Sequence, residues 1–294
     1  MTGFAVWFAD DPDEEALGPL PDGARLVREP GDDVEFAVPT WRDSVDLASL
    51  PRLRVVQVRS AGVDWIVDRI PEGVTLCGAR GTRDAAMAEW VVAALLADVK
   101  RVRPFAEAQA AGEWRPSDIY DLSDLRVLIL GHGSIGRAVQ ARLAPFGTPV
   151  VGVARRARDG VRGMDELPAL LPEADAVVNL LPLTPATRGL VDAELLSGMH
   201  DRALYVNAGR GGTTDTAALV AELESGRLRA VLDVVAPEPL PAGHPLWRAP
   251  GVMISPHVAG DTPGSERASW ALVGEQLRRF VAGEPLANVV EEGY

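Results

Sequence analysis

Three short segments in the second half of the sequence carry side chains that could transfer protons or bind an anion. They read VNAGRGG with Arg210, LDVVAPEP with Asp233 and Glu238, and ISPHVAG with His257. Each segment lies at or just after the carboxyl end of a predicted β-strand, where open α/β sheets bind their ligands. A single histidine is more often a structural or surface residue, and Arg210 or Glu238 alone could form an ordinary ion pair. Their shared position predicts that Arg210, Glu238 and His257 converge on one crevice.

The elements that must position these residues form two series of predicted strands. Short β-branched runs alternate with longer segments of helical period, the pattern of βαβ units with parallel sheets. The sequence therefore predicts an α/β protein with two doubly wound domains. The first series of strands is predicted at 4–8, 34–38, 53–58 and 74–76, and the second at 126–130, 150–153, 176–180, 203–207, 230–233 and 252–254.

A domain junction is predicted between the two series. A helical stretch at about 84–103 is followed by an irregular polar segment that reads GEWRPSDIYDLSD. The last predicted helix, at about 264–281, follows the final strand and could pack back onto the first domain. The predicted domains are therefore a discontinuous first domain, 1–98 with 263–294, and a continuous second domain, 99–262.

A glycine-rich turn begins the second domain. Residues 125–139 read LRVLILGHGSIGRAV, in which an apolar strand runs directly into Gly131, Gly133 and Gly136 and then into a helix. In such a turn the first glycine permits the tight bend, the second lets the backbone approach a pyrophosphate, and the third allows close helix-to-strand packing. The alternative is a tight turn without a ligand. The strand and helix on either side favour dinucleotide binding, because free amides and the helix dipole attract the anion.

The strand after the glycine-rich helix indicates which dinucleotide is bound. That strand, PVVGV, is followed by Ala154, Arg155 and Arg156, with no carboxylate to accept hydrogen bonds from the adenosine ribose. Two guanidinium groups could instead pair with a 2′-phosphate. A solvated basic loop is the alternative. The sequence predicts that NADP(H) is preferred, with NAD(H) as the second choice.

Composition excludes several other classes of protein. The chain has 29 Lys and Arg against 42 Asp and Glu, a formal net charge of −13, whereas nucleic-acid binders carry clustered basic residues. The longest apolar run, Trp90–Ala97, is far shorter than the roughly 20 residues that span a bilayer. Cys77 is the single cysteine, so no intrachain disulfide and no zinc-type cluster is expected. These features predict a cytoplasmic protein with no nucleic-acid, membrane or metal partner.

The motifs together make the sequence similar to the D-isomer-specific 2-hydroxyacid dehydrogenase family over nearly the whole chain. GHGSIG and LPLTPATRGL belong to the similarity, as does RSAGVDWI at 59–66, which resembles the family's substrate-carboxylate loop. EPLP, PLW and the arginine-bearing turn most resemble the short glyoxylate/hydroxypyruvate reductases. The resemblance implies a Rossmann nucleotide-binding domain, a smaller flavodoxin-like substrate domain with a cleft between them, and a homodimer.

The resemblance also implies a reaction, hydride transfer between the nicotinamide C4 and the C2 of a small 2-keto or 2-hydroxy acid. His257 would act as the general acid, and Glu238 would pair with it and favour its charged form. Arg210 would bind the substrate carboxylate and polarise the carbonyl. The expected product is the D-2-hydroxy acid.

Further binding residues follow from the same resemblance and from the glycine-rich turn. The backbone amides around Ala61, Gly62 and Val63 would hold the other oxygen of the substrate carboxylate. The predicted cofactor-binding residues are Gly131, Gly133, Ser134, Ile135, Gly136, Arg155, Arg156, Leu181, Pro182, Thr187, Asn207, Ala208, Gly209, Asp233 and Gly260.

Two further substrate-binding candidates stay open between two interpretations. Arg59 precedes the carboxylate loop and could meet a second anionic group of the substrate, although a solvated arginine is favoured. Trp41 follows the second predicted strand and could close the substrate pocket, or it could simply pack in the core.

Other functions are compatible with the same fold. The family fold also serves corepressor-like proteins that sense dinucleotides and bind partners, so a binding function is one alternative. A dehydrogenase for a phosphonate-bearing keto acid or for phosphite is another. Glu238 argues against a formate-oxidising enzyme, because that related branch carries glutamine in the corresponding role.

Overall fold

A computed structural model describes residues 3–290 of the chain. The chain forms two units, one made of the residues up to Arg83 and from Asp261 onward, the other of Asp84–Gly260. Within residues 3–290, none of the helices is long and apolar enough to span a membrane.

The discontinuous unit contains a five-stranded parallel sheet in the order β2-β1-β3-β4-β5. This is the flavodoxin-like order, with the reversal of winding between β1 and β3. Strands β1 and β3 are almost fully buried, as expected for a parallel sheet that is covered on both faces. The strands are β1 (Phe4–Phe8), β2 (Ala24–Val27), β3 (Val34–Val38), β4 (Val55–Gln57) and β5 (Thr75–Cys77).

The continuous unit contains a seven-stranded parallel sheet in the order β12-β11-β10-β9-β6-β7-β8. The chain winds outward from β6 in one direction and from β9 in the other, which is the Rossmann arrangement with its switch point between these two strands. Both predicted fold types are confirmed. The strands are β6 (Val127–Leu130), β7 (Val150–Ala154), β8 (Val161–Gly163), β9 (Ala176–Asn179), β10 (Leu204–Asn207), β11 (Arg229–Leu232) and β12 (Val252–Ile254).

The helices of the described chain divide unevenly between the units. The first and last belong to the discontinuous unit, where Phe8 and Phe36 lie in one apolar cluster with Trp270 of the last helix. The helices are α1 (Glu14–Leu17), α2 (Asp84–Val99), α3 (Val102–Ala110), α4 (Ser134–Leu143), α5 (Leu167–Leu170), α6 (Ala193–Gly198), α7 (Thr216–Glu224) and α8 (Pro263–Ala282).

The first unit boundary differs from the one predicted between residues 98 and 99, because α2 belongs to the Rossmann unit. Val91 and Leu95 of α2 are fully buried in the same apolar cluster as Ile129 of β6. Near the end of α2, the Asp98 carboxylate accepts a hydrogen bond from Arg229 of β11. The second boundary falls at 260/261, close to the predicted 262/263.

Candidate active site

The glycine-rich turn after β6 uses each glycine for a different purpose. Gly131 has φ of +90°, and a Cβ there would lie 2.9 Å from the Leu180 carbonyl carbon. A Cβ on Gly136 would lie 3.0 Å from the Gly131 carbonyl oxygen, so this position needs glycine for close packing. A Cβ on Gly133 would meet no protein atom within 4 Å. The open space beside Gly133 is where the fold allows a ligand to approach the backbone.

Helix α4 begins directly after this turn without a side-chain cap, because its N-cap residue is Gly133. The first amides of any helix lack an acceptor within the helix, and they carry the positive end of its dipole. The Ser134 hydroxyl donates to Asp84 at 3.1 Å and is therefore turned toward the protein. Open space beside Gly133 and uncapped helical amides fit the pyrophosphate of a dinucleotide.

A basic loop follows β7 beside the glycine-rich turn. Arg155 and Arg156 are exposed directly after the strand ends at Ala154. Arg158, which is not among the predicted cofactor-binding residues, donates to the carbonyl of His132 within the turn. The position of Arg158, three residues after Arg155, can be recognised in the sequence. Its bond to a backbone carbonyl of the turn cannot, because that contact depends on the fold.

The loops after β9 and β10 place the remaining predicted cofactor residues of this region side by side. The Thr187 hydroxyl donates to the Pro182 carbonyl at 2.5 Å and accepts from the Thr184 amide at 2.8 Å. A Cβ on Gly209 would lie 2.6 Å from the Leu181 carbonyl oxygen, so only glycine permits this approach. Leu181, Pro182 and Gly209 therefore lie together at the carboxyl edge of the sheet.

Asp233, immediately after β11, holds the loop that carries His257. Its buried carboxylate accepts from the Ser255 hydroxyl at 2.6 Å and from the Val258 and Ala259 amides at 2.9 and 3.0 Å. His257 has φ of +56°, a left-handed conformation that is uncommon outside glycine. The Asp233 bonds stabilise this loop on both sides of His257. Contact between Asp233 and the nicotinamide stays a prediction.

His257 and Glu238 form a hydrogen-bonded pair. Nδ1 of His257 lies 2.8 Å from Oε2 of Glu238, and the Val235 amide donates to Oε1 at 2.9 Å. The hydrogen bond to Glu238 raises the pKa of His257, and it outweighs burial, which acts in the opposite direction. Burial alone would raise the pKa of Glu238, but the bonds from His257 and Val235 lower it. The geometry therefore favours an imidazolium beside a carboxylate.

Arg210 lies within electrostatic range of this pair. Its positive charge lowers the pKa of both Glu238 and His257. Its guanidinium donates to the Gly209 carbonyl at 2.9 Å, and its own carbonyl accepts from the Thr213 hydroxyl at 2.7 Å. The structure thus brings Arg210, Glu238 and His257 together at the carboxyl ends of neighbouring strands, while their catalytic roles stay predictions.

The candidate substrate residues of the flavodoxin-like unit are placed differently from one another. Arg59 is neither solvated nor unpaired, because it forms ion pairs with Asp10 and Glu266 and stacks on the Trp270 ring at 4.4 Å. Trp41 has an exposed fraction of 70%. Core packing of Trp41, one of the two interpretations from sequence, is therefore wrong.

The predicted carboxylate loop of this unit is anchored by apolar and polar contacts. Val63 is completely buried in the apolar core beside Ile66. The Ser60 hydroxyl donates to the Gly62 carbonyl at 2.7 Å and accepts from the Trp65 indole at 3.2 Å. These bonds give the loop a defined conformation.

Comparison with known proteins gives matches over the whole chain. Residues 92–259 match the family model described as "D-isomer specific 2-hydroxyacid dehydrogenase, NAD binding domain". Glyoxylate/hydroxypyruvate reductase A of Serratia proteamaculans is 33% identical over 92% of this chain and 91% of its own length. The Salmonella typhimurium protein of the same name is 32% identical over 85% of this chain and 84% of its own length.

Solved structures similar to this chain have the same family and enzyme names. A D-isomer specific 2-hydroxyacid dehydrogenase from Xanthobacter autotrophicus, in complex with NADPH and MES, superposes with a TM-score of 0.87 at 33% identity and covers 100% of both chains. An NADPH-dependent glyoxylate/hydroxypyruvate reductase from Sinorhizobium meliloti, in complex with NADP and sulfate, gives 0.88 at 31% identity, over 99% of this chain and 100% of its own.

Proposed function

The chain belongs to the D-isomer specific 2-hydroxyacid dehydrogenase family, an NAD(P)-dependent class of oxidoreductases, and we propose that it reduces small 2-keto acids with NADPH. Glyoxylate and hydroxypyruvate are the proposed substrates, and the D-2-hydroxy acid is the proposed product. The observation that carries the proposal is the hydrogen-bonded pair of His257 and Glu238 within range of Arg210, on the same edge of the sheet as the glycine-rich turn.

The proposed mechanism assigns one task to each of these three side chains. The glycine-rich turn and the start of α4 would hold the cofactor, whose nicotinamide would supply the hydride to C2 of the substrate. As negative charge develops on the carbonyl oxygen, His257 donates a proton to it from Nε2, the ring nitrogen that does not face Glu238. Glu238 stabilises the imidazolium before the transfer. Arg210 binds the substrate carboxylate with its planar donors and withdraws electron density from the carbonyl.

The candidate substrate-binding residues of the flavodoxin-like unit are supported by different observations. The amides of Ala61, Gly62 and Val63 are proposed to bind the second carboxylate oxygen, supported by the defined conformation of this loop. Trp41 is proposed to contact the substrate, since its exposed ring contributes nothing to the core. For Arg59, the two carboxylate partners favour a structural role.

Turnover assays with single-residue variants test the proposal. The unmodified protein should oxidise NADPH when given glyoxylate or hydroxypyruvate, and Arg210→Ala or His257→Ala should lower kcat/KM by orders of magnitude. Arg126→Ala and His200→Ala are matched controls, because Arg126 precedes β6 and His200 precedes β10 at the opposite edge of the sheet. Undiminished turnover in both site variants would refute the proposed roles.

The proposed cofactor preference has its own experiment. Arg155 and Arg156 are exposed in the loop whose Arg158 bonds to the glycine-rich turn, where their guanidinium groups could pair with the 2′-phosphate of NADPH. The double variant Arg155→Ala/Arg156→Ala should raise KM for NADPH about tenfold or more and leave KM for NADH unchanged, since only NADPH carries that phosphate. Arg162→Ala, an exposed arginine of β8, is the control. An unmodified protein that prefers NADH by tenfold contradicts the proposal.

The same measurements distinguish the proposed reductase from the alternative, a binding protein that senses dinucleotides. It predicts tight NADPH binding with no turnover of any 2-keto acid in a broad panel. A substrate with a phosphonate group, or phosphite, would identify a dehydrogenase for another anionic substrate. The panel therefore includes these compounds beside glyoxylate and hydroxypyruvate.

We also propose that the protein is a homodimer. Residues 102–120, which comprise α3 and the irregular stretch after it, carry several exposed apolar side chains among charged ones. Trp114 has an exposed fraction of 97%, and Val102, Ile119 and Tyr120 are each more than half exposed. Such a concentration of apolar surface is typical of protein–protein interfaces.

A further inference from the structure

Beneath the Arg210 turn, five polar side chains form one buried hydrogen-bonded network. Buried polar groups cost stability unless they are bonded, and here every member has partners. None of them was predicted to act except Asn207, which was assigned to cofactor binding. The members are Asn179, Tyr205, Asn207, Thr213 and Thr214, with exposed fractions of 0–8%.

The two asparagines determine which groups donate and which accept in the hydrogen bonds of the network. They end neighbouring strands β9 and β10 and are register partners. Oδ1 of Asn179 accepts from the Leu181 amide at 3.0 Å, so its Nδ2 must be the donor to Tyr205 and to Thr213, both at 2.8 Å. In the same way, Oδ1 of Asn207 accepts from the Gly209 amide at 3.0 Å.

The hydroxyl groups of Thr213 and Tyr205 then have one arrangement each. Because Thr213 accepts from Asn179, its single proton is donated to the Arg210 carbonyl at 2.7 Å. Because Tyr205 also accepts from Asn179, its proton goes to Thr214 at 2.6 Å. Burial raises the pKa of Tyr205 to about 12, so the phenol stays protonated as this arrangement requires.

The network ends at two segments, one predicted to bind the cofactor and the other predicted to bind the substrate. One end is the Leu181 amide, in the loop that is proposed to line the cofactor. The other end is the Arg210 carbonyl, which also accepts from Nδ2 of Asn207 at 3.3 Å and from the Thr213 amide. A displacement of about 1 Å at a binding side chain can cost roughly a hundredfold in rate. A rigid connection between these segments is therefore valuable for catalysis as well as for stability.

We propose that Thr213 and Tyr205 are positioning residues that fix the Arg210 turn against the Leu181 loop through Asn179. Neither residue touches substrate or cofactor in this proposal. The Thr213 hydroxyl bonds directly to the Arg210 carbonyl. Tyr205 does not contact Arg210, but it bonds to Asn179 and Thr214 and so fixes their positions. The inference rests on the proposed reductase function, since Arg210 is taken to bind the substrate carboxylate.

The test compares Thr213→Val, which removes the hydroxyl at nearly constant volume, with Thr213→Ser, which retains it. Thr213→Val should lower kcat/KM for glyoxylate about tenfold to a hundredfold, with KM for glyoxylate raised and the Kd of NADPH changed less than about threefold. Thr213→Ser should restore kcat/KM to within about threefold. Tyr205→Phe should give a smaller loss in the same direction. Melting temperatures of all variants are measured in parallel.

Thr148→Val is the matched control for a buried hydroxyl. Thr148 is 7% exposed, and its Oγ1 has no hydrogen-bond partner in the described part of the chain. Its removal should leave kcat/KM unchanged. If Thr213→Val or Tyr205→Phe lowers only the melting temperature and leaves KM and kcat unchanged, the network is structural and the inference is wrong. If the unmodified protein turns over no 2-keto acid, the proposed function fails and the inference fails with it.

Discussion

His257 and Glu238 shift each other's pKa in opposite directions, and this coupling has a consequence for the direction of the reaction. The bond from Glu238 raises the pKa of His257, so the imidazolium persists to higher pH than it would in an isolated histidine. Reduction of a ketone needs the protonated ring, whereas oxidation of the alcohol needs the neutral ring. For the proposed reduction, the pair would therefore extend the pH range in which the reaction proceeds.

Replacing the carboxylate should narrow that range. Glu238→Gln removes the negative charge that raises the pKa of His257, while the nearby positive charge of Arg210 and burial still lower it. The fall of kcat/KM for keto-acid reduction at high pH should consequently begin at lower pH than in the unmodified protein. Glu173→Gln, an exposed glutamate that pairs with Arg126, should leave the pH profile unchanged. An unshifted profile in Glu238→Gln would show that Glu238 does not control this proton.

Arg59 gives a prediction that separates its two interpretations. Its side chain is only 14% exposed, pairs with Asp10 and Glu266, and stacks on Trp270. Arg59→Met should lower the free energy of unfolding by about 1–3 kcal/mol, because it leaves two carboxylates without their shared cation. KM for glyoxylate should change less than about twofold. A large rise in KM without loss of stability would instead support contact with the substrate.

At the scale of elements, strands with a continuous apolar run are easier to predict than strands that polar residues interrupt. The predicted ranges of ten strands agree with the structure to within two residues, because buried parallel strands read as apolar, β-branched runs. Strands β2 and β8, each at one end of its sheet, are not among the predicted strands. Strand β2 reads ARLV with two exposed residues, and β8 reads VRG with an exposed arginine between two buried residues, so neither contains such a run.

The helix predicted over 84–103 shows a second limit. It is divided into α2 and α3 by Arg101, whose φ of +55° is left-handed. Left-handed residues are normally signalled by glycine or asparagine, and arginine gives no such signal. The sequence also did not show which sheet α2 covers, because a mostly apolar helix could pack against either.

Some residues of the candidate site can be predicted from the sequence, and others cannot. Motifs in the sequence select Arg210, Glu238 and His257 as catalytic candidates, since the proposed chemistry is carried by the residue types themselves. Thr213 and Tyr205 escaped notice because buried hydroxyls acquire a role only from their partners, which three-dimensional structure alone supplies.

The contact that assigns α2 to the Rossmann unit can be tested by stability measurements. Burial raises the pKa of the Asp98 carboxyl, although its bond to Arg229 opposes that effect, so this ion pair is largely removed from water. Asp98→Ala should lower the free energy of unfolding by about 3 kcal/mol, since it leaves a largely buried cation without its partner. Glu107→Ala breaks the exposed pair with Arg103 and should cost less than about 1 kcal/mol. Equal losses in denaturant unfolding would contradict this assignment.

At the scale of the whole molecule, the exposed segment 102–120 is the surface that we propose joins two copies of the chain. Apolar surface that stays in water costs roughly 25 cal/mol per Å² relative to burial, so an exposed tryptophan in an ordered chain favours association. Trp114 and Tyr120 lie in a stretch that contains no helix or strand between Ala110 and Leu122. Burial of this surface against a second copy of the chain is the arrangement that we propose for the segment.

Removing apolar side chains from this segment should therefore dissociate the protein. The double variant Trp114→Ser/Ile119→Ser should elute as a monomer in size-exclusion chromatography with light scattering, whereas the unmodified protein should elute as a dimer. Because a dimer is stabilised by mass action, the melting temperature of the unmodified protein should rise with concentration and that of the variant should not. Phe146→Ser removes another exposed apolar side chain, just after α4, and should preserve the dimer. A double variant that remains dimeric at micromolar concentration places the interface elsewhere on the molecule.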